Sequence, residues 1–123
     1  PYHLIGMELS ISILSAALRG EPTGQSRVFA GDAVATAKRA LKRGEVLDGE
    51  GGYTVYGKLL PAETSLAKGA LPIGLAHHVM LTRDVAEGAV VGWADVVIDE
   101  SAQHVALRRE MEHVFSGRKA AAE

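Results

Sequence analysis

Five histidines are the first residues in this sequence that could do chemistry, since imidazole binds metals and moves protons near neutral pH. His77 and His78 are adjacent, so on a strand their rings leave on opposite faces and cannot share one ion. His104 and His113 are nine residues apart, about two and a half helical turns, and diverge as well. No His-x-x-x-His or His-Glu-x-x-His pattern occurs, so a metal site would have to be assembled from distant positions. Cysteine is absent, which removes disulfides, thiolate ligands and thiol nucleophiles together. There is no Gly-x-Ser-x-Gly elbow for a serine nucleophile. Asp95 and Asp99 would share one face of a strand, where ordinary solvated acids explain them as well as a catalytic carboxylate pair does. The run Asp48-Gly49-Glu50-Gly51-Gly52-Tyr53 fits neither dinucleotide-loop nor P-loop spacing and reads as a wide turn before a strand. Trp93, the single tryptophan, closes a small core more often than it anchors an interface. His3 and Glu8 flank Gly6 at the mouth of an apolar segment and could be a fragment of a site. The competing account, which physics alone favours, has Glu8 stabilising a helix N-terminus through the helix dipole.

Three zones must position these residues. From Glu8 to Arg19, apolar side chains at Leu9, Ile13, Leu14, Ala17 and Leu18 draw one helical stripe, with Gly20 suited to the left-handed cap and Pro22 blocking continuation. A strand competes, because Met7, Leu9, Ile11 and Ile13 alternate with other residues; the end signals favour the helix. The residues from Glu21 to Ser26 read as a linker. Residues 32–99 carry short β-prone runs, such as Tyr53-Thr54-Val55-Tyr56 and His78-Val79-Met80-Leu81, between many glycines. Within them Arg39-Ala40-Leu41-Lys42-Arg43-Gly44-Glu45-Val46-Leu47 aligns without gaps to Arg83-Asp84-Val85-Ala86-Glu87-Gly88-Ala89-Val90-Val91. Each copy is a strand end, a turn glycine and a strand start, so the pair predicts a pseudo-symmetric small β fold. Residues 101–115 return to a helical pattern, with Ser101 as its cap and Val105 and Phe115 on an apolar edge.

The bulk numbers set limits on partners. With 13 Lys and Arg against 15 Asp and Glu there is no broad electrostatic footprint for nucleic acid or an anionic membrane. Aromatics at 5% leave few stacking platforms for bases. The apolar run from Leu4 to Leu18 is too short and too interrupted to span a bilayer and lacks the basic start of a secretory signal. Together with the missing cysteines this fits a cytoplasmic protein. The opening Pro1-Tyr2-His3-Leu4, set directly on an apolar run, is what a chain cut from something longer would present.

The repeat segment 37–47 and its second half ending Gly92-Trp93-Ala94-Asp95-Val96 resemble the SAF domain, a small β-clip fold. A longer likeness covers nearly the whole chain. The stretches Pro1-Tyr2-His3-Leu4-Ile5-Gly6-Met7-Glu8 and Ala17-Leu18-Arg19-Gly20-Glu21-Pro22-Thr23-Gly24 are similar to the closing stretch of homoserine-dehydrogenase-like NAD(P)-dependent oxidoreductases of bacteria that end in a SAF domain. So are Gly51-Gly52-Tyr53-Thr54-Val55-Tyr56-Gly57-Lys58-Leu59 and Leu71-Pro72-Ile73-Gly74-Leu75-Ala76-His77. The resemblance implies a mainly β domain with one N-terminal and one C-terminal helix: residues 1–26 as a remnant of a catalytic domain, 27–100 as the SAF-like body, and 101–123 as helix and tail. It implies NAD or NADP for the parent, sugar-phosphate or similar hydroxy substrates for some members, and His3 and Glu8 as the only candidate catalytic residues. No cofactor-binding half is visible here, so the chain alone is expected not to be an enzyme. Its implied partner is the N-terminal catalytic domain of the same protein, with room for a homo-oligomer, and the loops around Gly49 to Tyr53 and Pro72 to His78 are the expected contact surfaces. An autonomous module that binds sugar acids or another small ligand is the alternative.

Overall fold

The two copies of the repeat lie against each other about a local pseudo-twofold axis. The computed structural model describes residues 4–24 and 28–117. At the axis Leu41 and Val85, equivalent positions in the two copies, exchange both backbone hydrogen bonds at 2.8 and 3.0 Å. Around it the bonds come in matched pairs. The Gly44 N–H donates to the Leu81 carbonyl and the Gly88 N–H to the Ala37 carbonyl, while Ala37 N–H reaches Ala89 and Leu81 N–H reaches Glu45. Both turn glycines sit at positive φ, +86° for Gly44 and +74° for Gly88, a backbone region that a Cβ penalises. The strand-end, glycine, strand-start pattern is therefore what the chain builds, twice.

Among the described residues, five short strands and three α-helices are arranged around this pair. In chain order they are α1 (Ile5–Leu14), β1 (Gly31–Ala37), β2 (Val46–Asp48), β3 (Val55–Pro61), α2 (Ala62–Lys68), β4 (His77–Leu81), β5 (Val96–Val97) and α3 (Gln103–Gly117). β1 pairs antiparallel with β3 from Gly31 opposite Pro61 to Ala37 opposite Val55. A second antiparallel sheet has the order β2-β4-β5, and isolated bridges such as Thr36 to Val90 tie the segments between strands to β1. The fold is thus mixed α and β rather than the mainly β domain expected, because the strands are short and the helices together hold more residues than they do; both terminal helices are in place. One helix goes beyond the sequence reading. α2 has only seven residues, too few for a period to register, and it is closed by Gly69 at φ +57°.

The core follows the repeat as well. Leu41, Leu47, Leu81, Val55, Leu71 and Val91 are fully or almost fully buried, and Val105 of α3 joins the same cluster. At the start of α3 the structure departs from expectation. Ser101 does not cap the helix; its hydroxyl and N–H both donate to the Asp99 carboxylate, closing a turn two residues ahead of Gln103. α1 is helical, as its end signals require, and continues through a π-type turn (Ser15–Arg19) to Gly20 at φ +66°. It contributes no buried residue.

Candidate functional site

Glu8 occupies the first turn of α1, where its carboxylate accepts the Leu4 N–H at 3.3 Å. A negative group at this position satisfies an orphan donor and complements the helix dipole, which is the structural account of Glu8. His3, the other member of the pair expected from the sequence, lies outside the described residues. The side chain of Glu8 sits on an exposed helix and lines none of the described grooves.

What α1 does present is apolar surface. Leu4, Ile5, Met7, Leu9, Ile11, Ile13, Leu14 and Leu18 are each more than half exposed. A helix that is apolar around its circumference is normally buried on all sides, so this one lies uncovered. A smaller apolar row crosses the β2-β4-β5 sheet, where Val46, Met80 and Val97 are register partners and are each about half exposed (52%, 45% and 57%). Cross-strand partners on one face form a continuous strip.

The two loops expected to make contacts come together at one edge of this sheet. His77 pairs in register with Asp48, its Nε2 lies 2.5 Å from Glu50 Oε2, and its ring covers the position a Gly49 side chain would occupy. The loop between β2 and β3 is organised from within. The Asp48 carboxylate accepts the Thr54 hydroxyl, the Tyr53 N–H at 2.6 Å and the Thr54 N–H at 3.0 Å. Those donors, the Thr54 hydroxyl first, hold Asp48 down to a pKa of about 2. Lys38 Nζ donates to the Gly52 carbonyl from outside. The glycine run is a wide turn entering β3, and Glu50 is held below the usual carboxylate range by its own backbone N–H and then by His77.

The remaining candidates have separate occupations. Asp95 and Asp99 do not act as a carboxylate pair. Asp95 is buried, accepting the Gly92 N–H at 2.9 Å and Arg83 Nε, whereas Asp99 holds the Ser101 turn. Trp93 is buried, with its Nε1 donating to Glu112 at 3.3 Å and the Arg109 guanidinium 3.7 Å from its ring centroid. His78 stands at φ +55°, uncommon for a residue with a Cβ, and His104 and His113 are exposed on α3. Among the described residues no three His, Asp or Glu side chains are grouped to hold a metal ion, and no helix is long and apolar enough to cross a membrane.

Sequence reasoning passed over the cationic face of α3. Arg108 reaches back to β1 and makes two hydrogen bonds to Asp32, at 2.6 and 3.1 Å; Asp32 also accepts the Ser65 hydroxyl from α2. Neighbouring Arg109 covers Trp93 and bonds to Glu112 and Glu100. The available signal was two adjacent arginines in a helix otherwise read for its apolar edge. No family model matches this chain, and no curated protein matches it.

Proposed function

We propose that this chain is an accessory domain of SAF-like, β-clip type. In this reading it packs on or closes the catalytic core of an NAD(P)-dependent oxidoreductase of the homoserine-dehydrogenase-like type. The observation that carries the reading is α1. Eight apolar side chains from Leu4 to Leu18 stand in water, and each Leu or Ile moved from water into a protein interface contributes roughly 1.5–3 kcal/mol. A helix of that composition is stabilised by a protein surface laid over it. The paired turns around Gly44 and Gly88 support the β-clip part, since a clip needs two equivalent strand ends folded onto each other. The strip Val46, Met80 and Val97 supplies a second contact for the same partner. His3 and Glu8 serve in this reading only beside residues of that partner.

Photo-crosslinkers placed at Leu9 and Ile13 in the source cells test the assignment. They are expected to join α1 to a polypeptide segment bearing a glycine-rich dinucleotide loop. Crosslinks that reach only second copies of this chain, or only proteins without such a loop, would overturn it. Calorimetry with NADH and NADPH complements this. The chain alone is expected to bind neither, and tight binding to it would defeat the accessory reading.

A further inference from the structure

A groove lined by residues of several elements collects cationic side chains from four separate segments. Lys58 comes from β3, Lys68 from the last turn of α2, Arg83 from the residues after β4, and Arg109 from α3. The chain as a whole has more acids than bases, yet among the described residues the only carboxylate lining this groove is Asp95. That carboxylate is buried and already accepts Arg83 Nε and the Gly92 N–H. Lys58 and Lys68 take part in no ion pair among the described residues. Arg83 is paired with Asp95 and Arg109 with Glu100 and Glu112, so the uncompensated charge of the groove is that of the two lysines. Their like charges repel, and a bound anion relieves that repulsion.

We propose that this groove binds a small phosphate-bearing anion, with Lys58 and Lys68 as its principal contacts. The chemistry of the donors selects the ligand. Arg109 sits over the Trp93 ring and its two terminal nitrogens are engaged by Glu112 and Glu100, so it offers no free fork to a planar carboxylate. Arg83 uses its Nε on Asp95. What remains are two ammonium groups, which act as point charges with rotatable donors, and the outer edge of one guanidinium. Such a set suits a dianion whose oxygens point in several directions. The indole face is covered, so no aromatic base is stacked there and the phosphoryl group itself is what the groove reads. This site stands on observations independent of α1 and holds whichever partner covers that helix.

The test is a titration of the whole chain followed by backbone amide NMR at constant ionic strength. The probes are inorganic phosphate, glycerol 3-phosphate and succinate. Saturable shifts are expected for the amides of Lys58, Lys68, Gly88 and Gly92, with both phosphate compounds binding more tightly than succinate. Tighter binding of the ester assigns the groove to a phosphorylated small molecule, and tighter binding of inorganic phosphate assigns it to the free ion. Lys58→Gln combined with Lys68→Gln is expected to weaken binding by at least about tenfold. Lys42→Gln, which removes a cation paired with Asp84 elsewhere, should leave it unchanged. Succinate binding as tight as phosphate, shifts spread over the whole surface, or equal affinity in the double variant would each refute the site.

Discussion

Replacing Arg108 with methionine should loosen α3 from the body far more than an ordinary surface substitution would. The Arg108 and Asp32 side chains are only 13% and 5% exposed, and two guanidinium nitrogens meet the carboxylate. Burial works against the guanidinium charge, yet the bonds to Asp32 and Glu112 outweigh it and raise the pKa of Arg108. Without the arginine, Asp32 keeps the Ser65 hydroxyl but loses its cation in a place that water barely reaches. Breaking a buried pair from one side costs about 3–5 kcal/mol, and the solvent at the edge of Arg108 argues for the lower end, about 3 kcal/mol. For a chain of 123 residues that is a fall in melting temperature of about 12 °C. Asp32→Asn in the same background removes the stranded charge, so the double variant should be more stable than the sum of the single losses by about 2 kcal/mol. Urea unfolding followed by the emission of Trp93, which sits under Arg109 of the same helix, measures all four proteins. If Arg108→Met loses less than about 1 kcal/mol, or if the two single losses simply add, the clasp is not what fixes α3.

The turn between β2 and β3 yields two further expectations. Because the folded pKa of Asp48 is depressed to about 2, below the free-aspartate value of about 3.9, its stabilisation is fully present above roughly pH 4 and is lost as pH falls toward 2. The Tyr53 and Thr54 amide resonances should hold steady down to that window and move within it, and a midpoint at or above pH 4 would contradict the three-donor geometry. Gly52→Ala would place a Cβ inside the Asp48 carboxyl group, which its donors hold in place, so it should destabilise the chain by about 1–3 kcal/mol in thermal melts. A melt unchanged from the parent would mean that the carboxylate moves aside freely.

Much of the fold was legible because it is written locally. The matching segments around Gly44 and Gly88 announced two equivalent turns, and the structure pairs them bond for bond. The last apolar residues of α1, with Arg19 and Gly20 behind them, fixed a helix and its end, and Val105 marked the side of α3 that meets the core. α2 was missed because seven residues are too few for a period to outvote the glycines around it. Ser101 was assigned to a cap because its type suits one, whereas the nearby Asp99 offered it a stronger acceptor.

The sequence alone determined the punctuation of the chain: its turns, its terminal helices, and the absence of a recognisable nucleotide loop, thiol or metal motif. Those features depend on a residue and its near neighbours, through φ preference, side-chain period and ligand spacing. Only the tertiary structure decided that Arg108 meets Asp32, that Arg109 lies on Trp93, and that cations from four segments face one groove with a single carboxylate already taken. It also decided that α1 carries its apolar side chains in water. Coulomb energy and burial depend on separation in space, and separation in space for residues far apart in the chain is set by how the strands and helices close on one another.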